Sequence, residues 1–302
     1  LTVSKAVLFD TGGNAVATAR RRVPQSIPVA HFVERDMNVL WRETAAAIRD
    51  VLAKSGVDPT DIAAVGATAH GDGVYLVDDK GQPLRPGILS LDSRGAEAVT
   101  RWEADGTSTK ALARTGQVPH ASAPSALLAW VRDHEPEVHA KIGVILAAKD
   151  WLRCCLTGTL GTDLTEALTS FTDVQTKVYS DGILELFGLD ALKAALPEPA
   201  APSDVVGYVT ADAAAQTGLV EGTPVVAGLH DVTASALGVG GYARGMVAIV
   251  AGTYSINETV TDAPKTDPAW FCRNGIVPGE WNNMAISPAS AANYDWFLDT
   301  LM

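Results

Sequence analysis

Three features of the sequence predict an α/β fold. Two alternating apolar and polar runs meet at Gly12 and Gly13, which is the pattern of a β-hairpin. Residues 37–54 then repeat apolar side chains at helical spacing and stop before Gly56, so an amphipathic helix should follow the hairpin. The next run, IAAVGATA at residues 62–69, is short and apolar, as expected of a buried parallel strand. Strands that alternate with helices in this order build a sheet covered by helices.

The later segments continue this alternation. Residues 73–92, GVYLVDDKGQPLRPGILSLD, are typical of two strands around a DDKG turn. Helices are predicted at 125–134 and 150–156, and a proline-rich break, PEPAAPSD, occupies 197–204. A second unit opens near Thr223 with a strand, a helix of small residues and a hairpin. The predicted division is therefore a first domain over 1–222 and a second over 223–302.

Composition narrows the class of protein. The chain has 302 residues, 47% of them hydrophobic, and 23 basic against 35 acidic residues give a net charge of −12. Neither a nucleic-acid partner nor a membrane partner is expected from that balance. No apolar run approaches the length of a membrane span, and three scattered cysteines do not suggest a secreted disulfide framework. These features predict a cytoplasmic protein, and they leave the oligomeric state open, a homodimer included.

The segment VVAGLHDVTASALGVGG, residues 225–241, places a carboxylate at the end of a predicted strand. Its apolar run stops at His230 and Asp231, and small residues typical of a closely packed helix follow. Ligands of α/β sheets bind at the carboxyl ends of strands, which favours a catalytic role for Asp231. An aspartate in front of a helix also serves as its N-cap. Position alone leaves both roles open.

A set of motifs resembles the FGGY carbohydrate kinases across nearly the whole chain. Besides the Asp231 segment, six stretches occur in the order found in that family: LTVSKAVLFD (1–10), TAHGDGVYLVD (68–78), SLDSR (90–94), KDWLRCCLTG (149–158), TDLTEA (162–167) and AGTYS (251–255). Each stretch is weak evidence by itself, but their common order is specific. The pattern is most similar to the xylulose kinases and their L-xylulose and erythritol kinase relatives.

The resemblance implies an actin-like, ribonuclease-H-like ATPase fold, with two domains around a cleft and the second domain incomplete in this chain. It implies ATP and Mg²⁺ as cofactors and the phosphorylation of a ketopentose such as xylulose, with Asp231 as general base. Two alternatives remain. One is a kinase of a related polyol of the erythritol, glycerol or ribulose type, and the other is a non-catalytic sugar-binding regulatory module on the same fold.

The resemblance also implies the binding residues. The sugar contacts would come from His70, Gly71, Asp72, Asp92 and Arg94, and the phosphate contacts from Thr2, Lys5, Gly252, Thr253 and Ser255. From the residues alone, Asp92 and Arg94 could form a surface ion pair, and the small-residue turns could be ordinary hairpins. The sequence departs from the family at Leu1, where threonine is usual, and at His70, where many members carry glutamine.

The resemblance places a metal-associated aspartate just before Leu1 and the adenosine-binding segment well beyond Met302. We therefore expect the chain to be part of a longer protein. A polypeptide of these residues alone is expected to be poorly stable and catalytically inert.

Overall fold

The computed structural model describes residues 2–167, 169–251, 255–287 and 291–302. Its strands, in chain order, are β1 Val3–Phe9, β2 Ala15–Arg22, β3 Glu34–Arg35, β4 Thr68–Ala69, β5 Tyr75–Val77, β6 Gly87–Ile88, β7 Val144–Leu146, β8 Thr162–Asp163, β9 Pro199–Ala200, β10 Val205–Tyr208, β11 Pro224–Val226, β12 Leu229–His230, β13 Val247–Ala251, β14 Ser255–Thr261, β15 Phe271–Asn274 and β16 Trp281–Ser287.

The helices are α1 Met37–Ser55, α2 Ala96–Ala104, α3 Thr107–Thr115, α4 Pro124–His134, α5 Pro136–His139, α6 Ala148–Thr157, α7 Leu164–Ala167, α8 Asp181–Phe187, α9 Ala211–Thr217, α10 Asp231–Gly238 and α11 Ala291–Leu301. Two 3₁₀ turns lie at Pro59–Asp61 and Asp190–Ala195. The predicted α/β character is confirmed by this order of elements.

The opening hairpin and helix form as the sequence predicts. Strands β1 and β2 pair antiparallel, and the Asp10 carboxylate closes their turn by accepting hydrogen bonds from the backbone of Gly12 and Asn14. Helix α1 begins after Asp36, whose side chain accepts a hydrogen bond from the backbone of Val39, and it ends at Gly56. A left-handed φ of 66° at Gly56 explains why glycine ends this helix.

The run at 62–69 corrects one expectation. It does run parallel to the segment at 225–230, through a bridge between Val65 and Val225 and the pairing of β4 with β12. However, its side chains are half-buried or exposed rather than buried. Most of them are alanine or glycine, which carry little apolar area, so the gain from burying this run is small.

The central core is built around α4. Residues Ala126, Leu127, Leu128 and Ala129 are fully buried and pack against β5, β6 and α8. In the C-terminal part, β13, β14, β16 and β15 form an antiparallel sheet in that order. The hairpin predicted in the second unit is confirmed as β13 and β14. The domain boundary near Thr223 stays a prediction.

A buried cluster of charged residues connects α6 to β8. The Lys149 ammonium is fully buried and lies 2.8 Å from Asp150 Oδ1 and 2.6 Å from Asp163 Oδ1. Although burial lowers the pKa of Lys149, the carboxylates around it raise that pKa above its usual value, so the side chain is charged. This cation neutralises carboxylates that could not otherwise stay ionised inside the protein.

The same cluster fixes the start of α10. Asp163 accepts a hydrogen bond of 2.6 Å from the Thr165 hydroxyl, and Thr165 in turn accepts one of 2.9 Å from the backbone N–H of His230. On the other side of β12, Lys149 and Arg153 donate to the Ala227 carbonyl at 3.5 and 3.4 Å. The backbone on both sides of β12 is therefore held by the buried charges of α6 and β8.

We predict that Lys149→Met lowers the free energy of unfolding by about 3–5 kcal/mol, because it leaves buried carboxylates without their cation. The matched control is Lys193→Met, which removes an ion pair to Asp181 whose partners are 63% and 62% exposed. That control should cost less than about 1 kcal/mol. Urea denaturation measures both variants, and equal losses would contradict a structural role for the buried cluster.

We also predict that Gly228→Ala is more destabilising than Gly222→Ala. Both glycines have left-handed φ angles, +82° and +87°. A Cβ on Gly228 would lie 2.1 Å from the Ala67 carbonyl oxygen, whereas one on Gly222 would meet nothing within 4 Å. The contact should add about 1–3 kcal/mol to the cost of the left-handed backbone. Thermal or urea unfolding measures the loss of unfolding free energy in each variant. Equal losses would contradict the close approach of β12 to residues 65–69.

Candidate active site

Asp231 is the first residue of α10, directly after β12. Its side chain is 43% exposed, and Oδ1 accepts a hydrogen bond of 2.7 Å from the backbone N–H of Val232. Burial of the carboxyl, assisted by the charge of Asp72, raises the pKa of Asp231 to about 6. A carboxylate with this pKa is ionised at neutral pH and is a better proton acceptor than an ordinary aspartate.

Asp72 lies in a strained turn beside Asp231. Its φ of 56° falls in the left-handed region, which residues other than glycine seldom adopt. Oδ1 accepts a hydrogen bond of 3.0 Å from Arg273, and Oδ2 lies 3.7 Å from His120 Nε2, too far for a hydrogen bond. Although burial raises the pKa of Asp72, the Arg273 guanidinium acts against it, and overall this pKa lies below its usual value.

Gly71 is required by close packing. A Cβ at this position would lie 2.0 Å from the imidazole ring of His230. The glycine therefore lets the turn that carries His70 and Asp72 approach β12 and the start of α10.

Three histidines in this region are neutral. Burial lowers the pKa of His70 to about 4 and that of His230 to about 3, and burial also lowers the pKa of His120. A neutral imidazole offers one donor and one acceptor. Among the described residues, His70 Nε2, His120 Nε2 and His230 Nδ1 are buried without a hydrogen-bond partner.

These unpartnered nitrogens lie around the turn of Asp72, whose carboxylate is paired with the Arg273 guanidinium of β15. Buried polar groups normally have partners, so an unsatisfied cluster calls for a ligand or ordered water. Neutral donors and acceptors beside a balanced ion pair suit the hydroxyl groups of a sugar or polyol better than a strongly charged group.

The structure places Asp92 and Arg94 in a different environment. Both side chains are fully buried and pair with each other at 2.8 Å, and Arg94 also pairs with Glu34 at 2.8 Å. The Arg94 guanidinium lies against the rings of Phe32 and Trp130, at 4.1 and 4.8 Å from their centroids. The ion pair considered from the sequence thus exists, but in the interior. A sugar contact by either residue stays a prediction.

The residues predicted to contact phosphate are only partly described. Thr2 and Lys5 lie exposed at the start of β1. Among the described contacts, no hydrogen bond or ion pair joins either residue to Asp72 or to the three histidines. Ser255 begins β14 and is half-buried. Gly252 and Thr253 lie outside the described residues. Phosphate binding by these five residues stays a prediction.

Sequence reasoning missed several members of the cluster. Arg273 is separated from Asp72 by 201 positions, and its Nε donates 2.8 Å to Gln117 Oε1. His120 follows the turn at Gly116, and Glu166 lies within the TDLTEA segment. The TDLTEA match could have suggested Glu166, but a single arginine in a short strand carries no signal for a site.

Two further properties bear on ligands. Among the residues that the structure describes, no helix is both long and apolar enough to cross a membrane. Within the same ranges, no three histidine, cysteine or carboxylate side chains converge as they would around a metal ion.

Comparison with known proteins identifies the family. The N-terminal domain of the FGGY family of carbohydrate kinases matches residues 1–238. A probable L-xylulose kinase from Pasteurella multocida is 36% identical over 98% of this chain and 62% of its own length. An L-xylulose/3-keto-L-gulonate kinase from Escherichia coli K12 is 34% identical over 97% of this chain and 59% of its own length.

A solved structure agrees with these sequence matches. The crystal structure of xylulose kinase from Rhodospirillum rubrum superimposes with a TM-score of 0.93 at 29% identity, covering 99% of this chain and 61% of that one. The predicted actin-like fold is thereby confirmed. The chain spans about three fifths of the length of the relatives it matches. It belongs to the FGGY family of carbohydrate kinases.

Proposed function

We propose that the protein transfers the γ-phosphoryl group of ATP to a hydroxyl of a neutral ketopentose such as xylulose. The observation that carries this proposal is the carboxylate of Asp231, partly exposed and with its pKa raised to about 6, beside a cluster of unpartnered neutral donors and acceptors. The kinship with L-xylulose and xylulose kinases supports the choice of sugar.

The proposed step follows from that geometry. The sugar hydroxyl donates its proton to Asp231 while its oxygen forms a bond to the γ-phosphorus, and the bond from that phosphorus to ADP breaks. The base must be ionised before the step, and Asp231 is ionised at neutral pH. Asp231 is the first residue of α10, and the backbone N–H of the preceding residue, His230, donates a hydrogen bond to Thr165. This contact fixes the position of the Asp231 backbone and so helps to orient its carboxylate.

The histidine cluster would orient the sugar. Neutral imidazoles of His70, His120 and His230 can each donate to one hydroxyl or accept from another. Asp72 would accept from a further hydroxyl, and its ion pair with Arg273 keeps that carboxylate in place. A sugar bound this way exchanges its water contacts for protein contacts at several hydroxyls at once.

ATP would enter with its Mg²⁺ as co-substrate. In kinases Mg²⁺ is bound chiefly by substrate phosphates and water, so a protein cage of metal ligands is not needed. Mg²⁺ supplies neutralisation of phosphate charge during transfer. We propose Thr2, Lys5, Gly252, Thr253 and Ser255 as the phosphate-binding groups of this chain.

We predict that Asp231→Asn, in the protein expressed from its complete gene, lowers kcat by about 10² to 10⁴ because the general base is lost. Sugar affinity should change little. The measurement is ADP release in the presence of L-xylulose, D-xylulose, erythritol or glycerol. If none of the four compounds increases ADP release by wild type, the proposed kinase activity is refuted. If the variant keeps the wild-type kcat, Asp231 is not the base.

Asp72→Asn is the contrasting variant. Asparagine tolerates the left-handed backbone, so the turn should be kept while the charge is removed. We expect the KM for sugar to rise by about 10-fold or more, since a hydrogen bond to a charged group is worth about 1.5–3 kcal/mol. The KM for ATP should change much less. Equal changes in both constants would indicate that Asp72 acts through folding.

Activity should fall on the acid side of about pH 6, the value to which the pKa of Asp231 is raised. The reaction needs the ionised base, so kcat/KM for the sugar should be constant above this pH and drop about tenfold per unit below it. His70 and His230, with pKa values lowered to about 4 and about 3, do not titrate in this window. The measurement is kcat/KM for the sugar from pH 5 to 8 at saturating ATP. A value that does not change with pH would contradict the role of Asp231 as the base.

A further inference from the structure

Glu166 is a buried acid that the proposed mechanism does not use. It lies in α7 and is 5% exposed, and its Oε1 has no hydrogen-bond partner within the described part of the chain. A Cβ added to Gly71 would lie 3.3 Å from Glu166 Oε2 as well as against the His230 ring. The carboxyl group is therefore in contact distance of the turn that carries His70 and Asp72.

A small cavity lies against this carboxyl group. Its volume is about 40 Å³, and Asp72 and Glu166 are both part of its wall. Other polar groups of the wall include Thr162 and Tyr179, and the apolar side is formed by residues such as Ile145, Leu146, Phe171 and Leu196. Since a cavity of about 10–15 Å³ is enough to hold one water, this one has room for a group of the size of one hydroxymethyl.

The charges around the cavity determine which end of a molecule fits. Burial raises the pKa of Glu166 well above its usual value, and the carboxylates of Asp150, Asp163 and Asp231 raise it further against the effect of Lys149. This shift favours the carboxylic acid over the carboxylate, and a carboxylic acid can donate a hydrogen bond through its O–H. A second anion in this cavity would be repelled by Asp72 and Asp150.

We propose that Glu166 is a sugar-binding residue whose carboxyl group hydrogen-bonds a terminal hydroxyl of the substrate, held in the cavity beside Asp72. The inference rests on the proposed function and narrows it. The substrate is a polyhydroxylated molecule with an uncharged CH₂OH end, and a sugar acid that presents a carboxylate there is excluded.

The first test is isothermal titration calorimetry of L-xylulose with the protein expressed from its complete gene. Glu166→Leu removes hydrogen bonding at similar size, and we expect the Kd for L-xylulose to rise by about 10-fold or more. Glu166→Gln keeps an uncharged donor of the same shape, so its Kd should stay within about 3-fold of wild type. ATP binding is the control and should be unchanged in both variants.

Sugars that lack one hydroxyl separate contact from folding. The two sugars to compare are 1-deoxy- and 5-deoxy-L-xylulose, and one of them lacks the hydroxyl that Glu166 binds. Wild type and Glu166→Leu should bind that sugar with equal affinity, because the contact is already missing. Equal affinity of wild type and Glu166→Leu for L-xylulose would overturn the proposal. So would a variant that weakens both deoxy sugars as much as L-xylulose, since that pattern marks a structural role.

A spectroscopic measurement covers the case in which Glu166→Leu does not fold. Infrared difference spectra of wild type at pH 8 should show the C=O band of a protonated carboxyl shifting when L-xylulose binds, and the band should be missing in Glu166→Gln. A wild type that binds the sugar with no such shift overturns the inference alone. Failure of wild type to bind L-xylulose, D-xylulose or erythritol would instead remove the proposed function on which it rests.

Discussion

The buried ion pair between Lys149 and Asp163 is the interaction on which the candidate active site depends. Its partners are 2.6 Å apart and have no exposed side-chain surface. Through Thr165 the pair reaches the backbone N–H of His230, and Asp231 is the next residue. An isolated ion pair of this kind is not by itself a source of stability, because desolvation offsets the attraction. Its value is geometric, since it fixes one strand end relative to another.

The second constraint is the partial removal of solvent from the polar groups of the site. Burial lowers the pKa of the histidines and raises those of Asp231 and Glu166, so a single physical cause disfavours the charged form of all these groups. Neutral imidazoles bind hydroxyls without competing for the proton that Asp231 must accept. The same buried environment would therefore serve both sugar recognition and proton transfer.

Local sequence patterns predicted much of the fold. The hairpin, α1, α4 and the β13–β14 pair follow from alternation, helical spacing and glycine positions, all of which act over a few residues. The 62–69 run was predicted as buried from its apolar composition, and it is not, because Ala and Gly bury little area. Asp231 and Asp72 stand in recognisable motifs. Arg273, by contrast, meets Asp72 across 201 positions, and no local pattern encodes such a contact.

The neutrality of the histidine cluster is the central claim, and ¹⁵N chemical shifts of the imidazoles test it most directly. We expect His70 and His230 to remain neutral from pH 8 down to about pH 5, given pKa values lowered to about 4 and about 3. Their shifts and that of His120 should move when L-xylulose is added, while exposed His134 should not respond. Protonated imidazoles at pH 7, or shifts that ignore the sugar, would contradict this claim.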